Sequence, residues 1–141
     1  MDRTSFRNAS RRLVVELAAV ALLVGIVHTH FPKGGSYAES WRFVVTHPLL
    51  LLHVIVSVLV LTEASLLQVR LLRSRNRSWT ILAFAGLTFT LVAFVSGERF
   101  VATQRHTAIS VMDIGFFGAL ATYGLGWRLS RRKPSTAPTG P

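Results

Sequence analysis

The chain has 141 residues, half of them hydrophobic, with a mean hydropathy of +0.45 and a formal charge of +10. That length holds a single domain, and so apolar a composition argues against an ordinary soluble one. With no cysteine, disulfides, thiolate metal sites and cysteine nucleophiles are excluded.

The charge falls in short clusters between long apolar runs. This distribution points to a membrane protein with basic connections rather than a nucleic-acid binder, so the bilayer is the expected partner. A run of roughly 20 apolar residues crosses about 30 Å of hydrocarbon. Four runs qualify, at about 13–30, 48–72, 79–97 and 107–127.

The first run follows Arg3, Arg7, Arg11 and Arg12. It has the outline of a signal peptide, but Glu16 interrupts its apolar part. "VHTHF" supplies no small-x-small cleavage site, so an uncleaved anchor is expected. Glu16 lies about one turn inside, near the level of Gln68 and Arg70, where an ion pair or hydrogen bond at the inner interface accounts for it. His28 and His30 close the run.

Residues 31–46 carry "SYAESWRFVV", with enough amphipathic character for a short helix on the outer surface; a loop is the alternative. The second run opens on Pro48, well suited to a first helical turn. It contains His53 and Glu63. His53 lies five residues past Pro48, about 7 Å into the span. Counting along the helices sets Glu63 level with Thr88 and Gly118, with a hydroxyl as one candidate partner.

The third run ends at Gly97, a residue favoured at helix ends. In the fourth, His106, Ser110 and Asp113 follow at i, i+4 and i+7, which puts them on one polar stripe. Asp113 sits at nearly the depth of His53, so a contact between them would spare an unpaired carboxylate. Gly115, Gly118, Ala119 and Gly124 permit close approach of a neighbouring backbone or a flat ligand. From Lys133, "KPSTAPTGP" forms a tail with no apolar periodicity, and 134–141 is expected to be disordered.

Twelve of the 16 basic residues flank the ends expected to be cytoplasmic: the N-terminal four, Arg70, Arg73, Arg75 and Arg77, and Arg128, Arg131, Arg132 and Lys133. Lys33, Arg42, Arg99 and Arg105 lie on the other side. The positive-inside rule then places both termini in the cytoplasm. Trp79 and Trp127 mark the inner interface and Trp41 the outer one. The expected fold is an all-α, up-down-up-down four-helix transmembrane bundle over residues 1–133, a multi-pass protein of the cell membrane. All five histidines, His47 among them, then gather at the outer end.

"RFVVTH" (42–47) precedes the second run and "RFVATQRH" (99–106) the fourth, so a parallel internal repeat is geometrically permitted. Soluble-enzyme signatures are absent: no phosphate loop, no G-x-S-x-G, no H-E-x-x-H. No catalytic residue is singled out.

Three functions fit. The first is an accessory or scaffold protein whose polar residues, including a His/Asp cluster near the outer face, hold the bundle together. Another membrane subunit or a second copy of the chain is a compatible partner. The second is a haem b electron-transfer protein with His53 as one axial ligand, His106 or His28 as the other, and Arg42 and Arg99 near the propionates. Through His53 and the placement of His28 and His106 the chain resembles the small four-helix cytochromes b. The third is a metal or proton site at His53, Asp113 and His106, with Glu63 in a proton path. Taken whole, with "SGERF" before a Gly- and Phe-rich last span, the chain resembles small, uncharacterised four-span membrane proteins of bacteria.

Overall fold

The computed structural model describes residues 2–26, 35–74 and 76–131. His28, His30, Lys33, Arg75, Arg132, Lys133 and the tail 134–141 lie outside the described residues. Within them the chain is all-α, with five helices: α1 (Arg3–Ile26), α2 (Tyr37–Thr46), α3 (Pro48–Arg73), α4 (Arg77–Thr103) and α5 (His106–Arg131). Three of these, α3, α4 and α5, are long and apolar enough to cross a membrane. The expected first span begins in α1 and continues past Ile26, beyond the described residues.

Local chemistry sets the boundaries. Asp2 accepts the Ser5 N–H at 2.9 Å, so α1 starts ten residues before the apolar run. Arg3, Arg7, Arg11 and Arg12 are therefore helical. Ser36 and Glu39 form a reciprocal capping box at the start of α2, which settles the 31–46 question in favour of a helix over Tyr37–Thr46. Pro48 opens α3 as expected. His47 joins α2 to α3: its Nδ1 donates to the Phe43 carbonyl at 2.7 Å and its ring lies against Phe43.

Gly97 does not end α4. The helix runs on to Thr103 and stops at Gln104, in the left-handed region at φ 54°, whose N–H donates to the Phe100 carbonyl. Gly97 serves packing instead, with Met112 Sδ 3.5 Å from where its Cβ would be.

Helix α1 packs on α3 and α5, and α4 on α3 and α5, while α2 lies across α3 and α4. On α1 the core face is Phe6, Ser10, Leu13, Leu17 and Val20, at alternating spacings of four and three. It meets Val60, Ala64, Leu67 and Leu71 of α3, Ala83 of α4, and Ala119 and Tyr123 of α5.

For helices that cross a membrane, apolar burial gives no preference for a neighbouring helix over lipid, and close approach is what holds such helices together. The α4–α5 seam shows how. A Cβ on Gly115 would lie 2.6 Å from the Ala93 nitrogen, one on Gly118 would run into the Phe89 ring, and one on Gly86 would lie 2.6 Å from the Tyr123 ring. The fourth-run glycines thus admit a helix rather than a flat ligand. Gly124 is the exception, with nothing within 4 Å.

Aromatic residues mark two ends. At one, Phe6 stacks on Trp79 at 4.4 Å, Arg131 lies over Trp127 at 4.9 Å, and an Arg3 terminal nitrogen donates to the Leu129 carbonyl. At the other, Tyr37 meets Trp41 edge-on, the Tyr37 hydroxyl donates to Glu98, and Gln104 donates to the Ser40 hydroxyl. The two Arg-Phe-Val segments occupy unlike places: the first closes the short helix α2, the second extends α4.

Candidate functional site

The polar groups of the long helices divide into three sets. Most hydroxyls are used within their own helix. Ser57, Thr62, Ser65, Thr88, Thr90 and Thr122 each donate to the carbonyl four residues earlier, at 2.7–2.9 Å. A mid-helix hydroxyl in hydrocarbon satisfies itself this way without a partner helix. Thr88 is exposed and bonded to Phe84, so it is not the partner of Glu63.

The second set lies between α1 and α3. Glu63 Oε2 accepts from Arg12 Nε at 2.7 Å, with the arginine side chain 61% exposed and the glutamate 26%. The early start of α1 explains why counting from the apolar run missed the pair: Arg12 is already one of its helical turns. Glu16, one turn further along, is electrostatically coupled to both Glu63 and Arg12. Its Oε2 is buried without a hydrogen-bond partner among the described residues. The simple ion pair or hydrogen bond expected for Glu16 is therefore replaced by membership of a three-residue charged group. Gln68 Oε1 and Ser10 Oγ are likewise buried and unpartnered.

Beside the ion pair lies a cleft of about 50 Å³, lined by Ala9, Arg12, Leu13, Glu63, Leu66, Leu67 and Arg70. That is far below the roughly 300–1,000 Å³ of a small-molecule pocket. Glu63, Leu66, Leu67 and Arg70 follow at i, i+3, i+4 and i+7, one stripe of α3.

Toward the other end of the same seam, His53 is half-buried against α1, beside the Val20 backbone. Its Nδ1 is buried without a partner among the described residues.

The third set is the stripe on α5. His106, Ser110 and Asp113 do share a face, and all three are exposed. They turn away from the buried line of Ala108, Gly115, Ala119 and Tyr123. Helices α3 and α5 do not pack on each other, so the expected contact between His53 and Asp113 is not formed. Its basis was equal depth, which says nothing about rotation around the helix axis.

The haem arrangement fares similarly. His53 faces α1 while His106 stands exposed at the start of α5, and Arg42 and Arg99 are exposed on α2 and α4. The described residues place no second imidazole across from His53, and the glycine seam is filled by helix backbone and aromatic rings. His53 and His106 do not face one another as a ligand pair, and His28, the other candidate ligand, lies outside the described residues. Nor do His53, Asp113 and His106 converge: among the described residues, no three His, Asp or Glu side chains form a metal-ligating group.

No family model, curated protein or solved structure matches the chain.

Proposed function

We propose that the chain is a multi-pass protein of the cell membrane acting as an accessory or scaffold subunit. Its four long helices would cross the bilayer up-down-up-down with both termini cytoplasmic. The basic clusters support that orientation through the positive-inside rule. So does the gathering of Trp79, Trp127, Arg3 and Arg131 at one end. The resemblance to small four-span bacterial membrane proteins belongs to the same reading.

One observation carries the subunit role. Asp113 lies seven residues into α5, about 10 Å along it, exposed and without a hydrogen bond or ion pair among the described residues. An aspartate facing lipid costs up to about 2.5–3.5 kcal/mol on the translocon scale, the figure for a helix centre, and Asp113 in the outer part of the span carries a share of it. A partner outside this chain removes that penalty. Two copies in the same orientation around an axis normal to the membrane would set Asp113 opposite Asp113, like charge on like. The occupant is therefore a helix of a different subunit, carrying a cationic or hydrogen-bond-donating side chain at that level.

Because the chain lacks cysteine, a Phe117→Cys variant gives a single cross-linking handle, one turn from Asp113 and 63% exposed. Oxidative or bis-maleimide cross-linking in native membranes should yield a heteromeric adduct that Asp113→Leu removes. A homodimer adduct, or a product indifferent to Asp113→Leu, would refute the proposal.

A further inference from the structure

The cleft between α1 and α3 combines features that internal packing does not use. Its walls carry two arginines and one carboxylate. Glu63 binds Arg12 through Nε, which fixes the guanidinium while the arginine side chain stays 61% exposed. Arg70 is exposed and has no ion pair or hydrogen bond among the described residues. Leu13, Leu66 and Leu67 line the cleft beside the charged groups.

From Leu66 an exposed apolar stripe runs along α3 through Leu59, Ile55 and Leu52, at spacings of seven, four and three. A cationic pair thus opens onto a hydrocarbon track. Such basic hollows between spanning helices on the cytoplasmic side suit anionic lipid headgroups, and the arginine fork matches phosphate oxygens.

We propose that this cleft binds the phosphate of an anionic phospholipid from the cytoplasmic leaflet, held between Arg12 and Arg70, with an acyl chain along Leu66, Leu59 and Ile55. Glu63 is a positioning residue: it orients Arg12 and does not touch the phosphate. Charge complementarity selects the ligand, and the apolar track selects a lipid over a soluble anion. The proposal rests on the membrane orientation given above but not on the subunit role of Asp113.

Carbonate extraction comes first, because a chain that leaves the membrane fraction would remove the orientation itself rather than this site. The membrane-extracted protein is then exchanged into nanodiscs of phosphatidylcholine with increasing phosphatidylglycerol, and retained lipid is counted by native mass spectrometry after release. One phosphatidylglycerol should be retained preferentially. Arg70→Gln should weaken that retention about fivefold or more, while Arg131→Gln, at the same end but away from the cleft, leaves it unchanged. Arg70→Lys should restore part of it.

Equal losses for Arg70→Gln and Arg131→Gln would reduce the effect to diffuse surface charge and overturn the site. Displacement of the lipid by inorganic phosphate at matching concentration would overturn the lipid assignment in favour of a soluble anion. Circular dichroism of Arg70→Gln guards against misfolding. Should that variant unfold, the phosphatidylglycerol preference of the unaltered protein over phosphatidylcholine still decides, and its absence sinks the proposal.

Discussion

Arg12 and Glu63 show how little a single residue's neighbours in sequence reveal about its partner. Each looks anomalous alone: an arginine at the threshold of an apolar run, a carboxylate in the middle of another. Together, at 2.7 Å, they neutralise one another. Removing one partner leaves the other uncompensated, whereas removing both leaves an apolar contact. Arg12→Leu should therefore destabilise the fold by up to about 2.5–3.5 kcal/mol, the scale for an unpaired charge in the membrane. Arg12→Leu with Glu63→Leu should recover most of that loss. A double-mutant cycle of unfolding in mixed micelles reads it, and simple additivity of the two single changes would contradict the pairing.

At the scale of elements, two devices were open to sequence reading to different degrees. The α2 capping box is a local pattern, Ser36 followed three residues later by Glu39, and the structure forms both of its bonds. The Ser36 backbone N–H, and after it the Ser36 hydroxyl, donate to the Glu39 carboxylate and hold it below its ordinary 4.5. Since the folded value is the lower one, this contribution is complete above pH 4.5 and is lost as pH falls through the depressed value. Amide hydrogen exchange over Glu39–Trp41 should accelerate there on acidification, and Glu39→Gln should remove the pH dependence.

The α4–α5 seam is different, because no sequence rule says which glycine meets backbone. Gly115→Ala drives a methyl into the Ala93 nitrogen and Phe89 carbonyl and should cost about 1–3 kcal/mol through forced separation of the helices. Gly124→Ala meets open space and should be neutral or slightly stabilising. Thermal unfolding of the two variants in one detergent compares them directly, and equal behaviour would mean that the seam does not hold the pair.

For the molecule as a whole, the orientation has a direct test. Single cysteines introduced as Asn8→Cys and Ser78→Cys should be shielded from an impermeant maleimide in intact cells, while one introduced as Thr103→Cys should be labelled. Labelling of the first two would invert the arrangement.

By itself the sequence determined the helical class, three helices long and apolar enough to cross a membrane, to within a few residues at most ends, the amphipathic character of α2, and the charge asymmetry between the ends. These follow from apolar run length, amphipathic periodicity and the placement of arginine, all properties of a chain read along one dimension. It also placed His106, Ser110 and Asp113 on one face, because 100° per residue is fixed by helix geometry. Only the tertiary structure decided which way that face turns, that Glu63 meets Arg12 instead of Thr88, and that His53 faces α1 rather than Asp113. The reason is that lipid and protein interior are nearly equally apolar, so hydrophobicity scarcely specifies how a spanning helix rotates about its axis. Glycine-to-backbone fits and a few ionic contacts choose that rotation, and these exist only once the helices are side by side.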